Sequence, residues 1–186
     1  MIEKNGHFFE VYGPFKIELI DGLCYRPSKY WWDTRVNVYD GPSPERGIGC
    51  YMFTMGDADI KPWYIGKTIC QGSFREEAFD DHKLQIYNEV ISRRRGPAMI
   101  YFFPLITKSF SETDWNLSEN RSGGARAINW LEKFLIGMAY GQNSELMNRR
   151  DVVFLRTVHL RGILGKNPSG RPHGEIEKAR QALRGK

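Results

Sequence analysis

Long apolar runs are missing from this chain. No stretch approaches the roughly 20 apolar residues of a membrane span, so no membrane partner is expected. Cysteine is scarce: Cys24, Cys50 and Cys70 are odd in number and form no Cys-x-x-Cys pair. That argues against a disulfide framework or a zinc knuckle, and for a reducing compartment. The four histidines, His7, His82, His159 and His173, lack metalloprotease spacing. Met1-Ile2-Glu3-Lys4-Asn5 has no basic-then-apolar signal pattern, so a cytoplasmic location is expected. Neither an internal repeat nor a low-complexity tract is present.

What is there suits one domain. The chain has 186 residues, with 41% hydrophobic and 13% aromatic side chains, enough to fill a core. Its net charge of +5 is uneven. From Phe154 onward eight Lys or Arg face two Glu, which gives +6 there and leaves about -1 for the rest. A basic tail on a neutral body suggests a polyanion partner, most often nucleic acid. The competing reading is a solvated tail that aids solubility.

The N-terminal part, 1–47, reads as a β and aromatic extension. His7 to Ile20 suggests two short extended runs around Gly13-Pro14, with Asp21-Gly22 as a turn. Tyr30-Trp31-Trp32 reads first as core or a cover over a sheet, and alternatively as a platform for stacking bases. Residues 40–47 read as a Gly/Pro-rich loop. The main unit is expected over 48–150.

Ile48 to Met55 and Pro62 to Gly66 predict a β-hairpin, with Gly49, Tyr51, Phe53 and Met55 on one face. Gly66-Lys67-Thr68 ends like a phosphate loop, but Lys61 stands where that motif needs its first Gly. Ser73, three residues before Glu76, is a candidate helix cap. Phe74 to Arg94 reads as helical, with a break near Asp80-Asp81. If the helix is continuous, Arg75 and His82 lie within about 20° of each other. Ala98 to Leu105 predicts a buried strand. Thr107 to Gly124 reads as a polar surface insertion.

Ala125 to Tyr140 is the clearest helix. At ~100° per residue, Ile128, Leu131, Leu135, Ile136, Met138 and Ala139 make an apolar arc. Arg126, Asn129 and Lys133 take the other side. Glu132 falls inside the arc, where a carboxylate is costly unless paired, hydrogen-bonded or metal-bound. A short apolar segment follows at Val152 to Leu155. Asn167 to Pro172 reads as a loop and Gly174 to Leu183 as a short helix, so 151–186 is a basic C-terminal extension.

Gly49-Cys50-Tyr51, Tyr64-Ile65-Gly66, an Arg on the next helix, a Glu on a later helix and an Asn after it resemble the GIY-YIG nucleases. The resemblance spans about 48–148. It implies an α+β fold with a small central antiparallel β-sheet of three core strands flanked by helices. To that this chain would add its N-terminal β extension and C-terminal helical tail. It further implies a metal-dependent endonuclease, a hydrolase of phosphodiester bonds in DNA that uses Mg²⁺ or Mn²⁺. By similarity Tyr51 and Tyr64 are the paired active-site tyrosines, Arg75 the phosphate-binding cation, Glu132 the metal ligand and Asn148 the motif Asn. Cys50 replaces the middle Ile of the first motif. Arg75 lies about one residue further from the second motif than is usual, and Phe79 stands where a His or Tyr often follows it. His82 is then the nearest imidazole.

Such chemistry needs a nucleophilic water, charge stabilisation on phosphoryl oxygens and help for the leaving oxygen. Glu132 with substrate phosphate would complete a hard cation's coordination. Arg75 offers a planar fork for phosphate; its plainer reading is a surface ion pair. Tyr51 is the candidate base or water-orienting group, although a free phenol titrates near ~10. Tyr64 is expected to orient phosphate or water, and His82 to accept or relay a proton. Lys67, Asn148, Arg149 and Arg171 are the expected substrate contacts. Two other classes stay open. One is a non-catalytic nucleic-acid-binding module retaining the fold. The other is an adaptor that docks a protein through Tyr30 to Trp32. The pattern does not specify an oligomeric state.

Overall fold

A strand that alternates strictly between two buried faces needs cover on both, and β5 (Gly49–Met55) sets that requirement here. A computed structural model describes residues 7–36, 43–69, 73–108, 115–117 and 124–148, plus Val153, Gly174, Lys178 and Ala182. The chain divides into two compact units, Met1–Met147 and Asn148–Lys186.

The first unit is α+β, with an antiparallel sheet flanked by helices. Its strands are β1 (Phe8–Phe9), β2 (Tyr12–Lys16), β5, β6 (Lys61–Thr68), β7 (Ala98–Lys108) and β8 (Trp115–Leu117). The main order is β1-β7-β5-β6, with β2 and β8 also pairing with β7. The expected hairpin is present: Tyr51 faces Gly66 and Phe53 faces Tyr64. Strands β7, β5 and β6 lie side by side in the sheet, which has six strands where a small three-stranded core is expected. The N-terminal runs are not a separate layer, because β1 and β2 extend the same sheet through β7. Likewise, β8 folds part of the expected polar insertion back onto β7, with Ile106 opposite Leu117.

A small separate hairpin, β3 (Leu19–Ile20) and β4 (Leu23–Cys24), turns at Asp21-Gly22 with φ of 51° and 77°. Both positive values match a two-residue turn that follows strand twist. Asn88 holds this hairpin with its side-chain amide: Oδ1 accepts the Cys24 N–H at 2.7 Å and Nδ2 donates to the Cys24 carbonyl at 3.0 Å.

The helices are α1 (Lys29–Trp31), which continues as a π-turn over Trp32–Val36, then α2 (Phe74–Glu77), α3 (Asp81–Arg93) and α4 (Ala125–Gln142). The break before α3 falls where the sequence places it. Asp80 caps α3 by accepting the Lys83 N–H at 2.9 Å. Glu76 closes the start of α2 by accepting the Ser73 N–H at 3.1 Å. Because α2 and α3 are separate, the continuous-helix angle between Arg75 and His82 does not apply.

One sheet face carries Tyr51, Phe53, Ile100 and Phe102, covered by α1, the π-turn, α2 and α3. Trp31 and Trp32 belong to this core, and of the three consecutive aromatics only Tyr30 is exposed. Phe53 stacks on Tyr87 with ring centroids 4.3 Å apart. The other face carries Cys50 and Leu105, against Ile128 of α4. The α4 arc is buried at Ile128, Ile136 and Ala139, but Met138 is exposed. The buried arc is narrower than expected at that edge.

After α4 the chain is tied to β6 and to the end of α3. Asn143 donates to the Pro62 carbonyl at 2.8 Å, and the Met147 N–H donates to the Trp63 carbonyl at 2.8 Å. Arg94 lies over the Trp63 ring at 4.9 Å and bonds Glu145 at 2.5 Å. The second unit is described only at Asn148 and four further positions, of which Gly174, Lys178 and Ala182 are helical within the expected terminal helix. The Val152 to Leu155 segment is described only at Val153, and the 167–172 loop lies outside the described residues.

Candidate functional site

Gly66 has no side chain, and the Tyr51 ring uses that space. A Cβ at Gly66 would overlap the ring at Cζ, the hydroxyl and Cε2. Tyr51 therefore lies across β6, and its hydroxyl donates to the Glu77 carbonyl at 3.4 Å. Tyr64 follows on the same face, with ring centroids 6.3 Å apart. Tyr64 also meets the Tyr87 ring, with centroids 6.1 Å apart. Tyr64 is half-buried, whereas Tyr51 is fully buried.

Burial pushes the Tyr51 phenol well above 10.0, and the neighbouring Tyr87, Tyr64, Asp80 and Glu77 add to the shift. A phenolate there would lose water and face further negative charge. Tyr51 is thus a phenol that donates a hydrogen bond. The general-base role considered for it is the one this environment opposes.

A compact ionic group closes that end of the face. Lys83 reaches Asp80 at 2.5 Å and Glu77 at 3.8 Å, with only 15% of its side chain exposed. Burial alone would raise the Asp80 pKa, but hydrogen bonds and charge from Lys83, with a smaller part from His82, hold it below 3.8. His82 itself is exposed on the first turn of α3. The sequence marks a helix break at Asp80-Asp81 but Lys83 is not among the expected site residues, although an Asp cap with Lys three residues on is legible.

Arg75 is half-exposed and bonds Glu45 at 2.5 Å, from the 3₁₀ turn Pro44–Arg46. The surface ion pair weighed for it is present, with a partner outside α2.

Lys67 and Glu132 meet on the opposite face. Lys67 stands opposite Cys50, so its side chain points toward α4. Its ammonium bonds Glu132 at 2.5 Å, with the Glu132 side chain 15% exposed. This pairing is one of the three ways in which a carboxylate in the apolar arc becomes tolerable. Cys50 lies beside the pair, and its thiol donates to the Ile128 carbonyl at 3.5 Å. Burial pushes that thiol well above its ordinary value, and Glu132 adds to the effect while Lys67 opposes it.

The sheet therefore brings Tyr51 and Tyr64 together and brings Lys67 and Glu132 together, but on different faces. Asn148 is buried and opens the second unit. Arg149 and Arg171 lie outside the described residues. Asn143, which the sequence reading missed, is the buried Asn that ties the segment after α4 to β6. Among the described residues no three His, Cys, Asp or Glu side chains gather to hold a metal ion. A cation at Glu132 would need water and phosphate for its remaining ligands, and would compete with the Lys67 ammonium. Among the described residues, no helix is long and apolar enough to cross a membrane. Compared with protein-family models, curated proteins and solved structures, the chain finds no significant match.

Proposed function

We propose that this chain is a GIY-YIG-type endonuclease that hydrolyses phosphodiester bonds in DNA. The observation that carries the reading is the tyrosine pair on one face of two paired strands, with Tyr51 laid over Gly66. The two motif halves are then one physical unit, because the glycine of the second makes room for the tyrosine of the first.

In this reading Glu132 would hold one divalent cation, Mg²⁺ or Mn²⁺, and that ion would supply Lewis-acid charge to the phosphoryl oxygens. Lys67 is already positioned to neutralise the carboxylate, and moves to phosphate when substrate arrives. Arg75 exchanges Glu45 for a phosphate oxygen. Tyr64 orients water or phosphate by hydrogen bonding. His82, exposed on α3, accepts the proton. Tyr51 stays protonated and donates. Asn148, Arg149 and Arg171 add contacts that position DNA without reading its sequence.

A non-catalytic nucleic-acid-binding module is the second reading. It is favoured by the buried Tyr51 hydroxyl and by the sheet between the tyrosines and Glu132. The adaptor reading loses its basis in Trp31 and Trp32, which are core residues.

The deciding experiment incubates the protein with supercoiled and linear DNA in Mg²⁺, Mn²⁺ or EDTA, beside a folded Glu132→Gln variant. The hydrolase reading expects metal-dependent nicking that falls about 100-fold or more in the variant. Steeply salt-dependent binding with no cleavage in any condition would sink it and leave the binding module. Nicking that survives Glu132→Gln would move the metal role to another residue.

A further inference from the structure

The outward face of α4 is apolar although its inward face already packs on the sheet. Trp130, Phe134 and Met138 are 64%, 51% and 57% exposed, and Trp130 stacks on Phe134 with centroids 5.2 Å apart. The buried Ile128, Ile136 and Ala139 lie on the other side. A contiguous exposed apolar stripe marks an interaction surface.

The same face carries two glycines, Gly137 and Gly141, and a Cβ at either would meet nothing within 4 Å. Nothing in their own surroundings needs a glycine; Gly137 costs the helix interior about 1 kcal/mol relative to Ala, whereas Gly141 stands in the last turn of α4. Their positions suggest why they are there. Trp130, Phe134, Gly137 and Gly141 step by four, three and four residues, the spacing of a helix-pairing seam. The large residues fill the first half and the glycines the second. Run antiparallel to itself, the seam sets Trp130 opposite Gly141 and Phe134 opposite Gly137. Each ring meets a position without a side chain, twice per pair, about a single two-fold axis.

We propose that this face is a homodimer interface, in which α4 pairs antiparallel with α4 of a second copy. The occupant follows from the self-complementary sizes: a two-fold interface uses one patch on both subunits. Aromatic anchors entering small-residue holes give the packed centre that such an interface needs. Met138 lines one rim, and Arg126 and Lys133 remain in water on the other. The inference does not depend on the nuclease reading.

Sedimentation equilibrium on the full chain tests it. The expected species has twice the 21.6 kDa chain mass. Gly137→Leu and Gly141→Leu fill open space with a better helix former, so each variant folds at least as well as the parent. Each is expected to weaken the dimer about 30-fold or more. A size swap tests the register. Trp130→Gly leaves a hole and Gly141→Trp a clash, and the double variant restores dimerisation only if the two positions face each other. A chain that stays monomeric at tens of micromolar overturns the proposal, as does a dimer indifferent to both Gly→Leu changes. Failure of the double variant to recover overturns the antiparallel register.

Discussion

Thr54 sits on β5 with 1% of its surface exposed, and its hydroxyl has no hydrogen-bond partner. A buried hydroxyl without a partner keeps its desolvation penalty. Thr54→Val removes that group and keeps the branched shape. Stability should rise by about 1 kcal/mol, read as a higher urea midpoint at unchanged slope. A lower midpoint would mean that the hydroxyl does find a partner. Asp80 gives a second test at this scale. Its folded pKa lies below its ordinary value, so its contribution is full above 3.8 and is lost as pH falls through the lower folded value. Lys83→Met removes the main cause, and the variant's stability should depend less on pH between about 5 and 2. Unfolding curves across that range would show it; curves parallel to the parent's would discard Lys83 as the cause. The residue pattern marked Glu132 as needing a partner without saying which. Lys67 is 65 residues away, and it faces α4 only because β6 pairs in this register. Arg75 and Glu45, 30 residues apart, pose the same problem. Periodicity reports a side chain's face on its own element, and the partner comes from packing between elements.

The β5–β6 hairpin, the break before α3 and the extent of α4 were legible because alternation, cap residues and turn residues act locally. Sheet membership was not. Extended runs are expected on either side of Gly13-Pro14, yet β2 runs through both residues, and the local pattern does not name β7 as the neighbour. The outward face of α4 stays unread in the sequence for a related reason. The arc was sought for one partner, whereas Trp130 and Phe134 belong to neither the sheet-facing stripe nor the polar side. Asn88 shows how one helix side chain fixes a strand. Its amide makes both hydrogen bonds to the Cys24 backbone, as a neighbouring strand would. Asn88→Ala leaves two part-buried backbone groups unpaired and should cost about 2 kcal/mol. Native hydrogen exchange would locate the loss: the Cys24 amide should exchange much faster than those of β5. Equal protection there would mean that the hairpin holds itself.

Across the whole chain, charge is unevenly distributed. The segment from Phe154 carries +6, while the remainder is about neutral. If that segment contacts a polyanion, each phosphate contact contributes about -0.9 to the slope of log affinity against log salt on duplex DNA. Replacing Arg156, Arg161, Lys166 and Arg171 with Gln should flatten that slope by up to about 3.6. Fluorescence anisotropy on labelled duplex at several salt concentrations measures it. A slope unchanged by four lost charges would return the tail to the role of a solubilising segment. Composition already separates this segment from the body, which is why its charge was legible.

The ring of Tyr51 rests on Gly66, and this constrains the order in which the two positions can change. Any residue larger than Gly at 66 collides while the ring is in place. Shrinking residue 51 first opens a hole, and only then does a side chain at 66 have somewhere to go. A lineage could cross between the two states only through the vacated intermediate. In a mutational library the two positions should behave as one heritable choice, entered and left through the vacated intermediate.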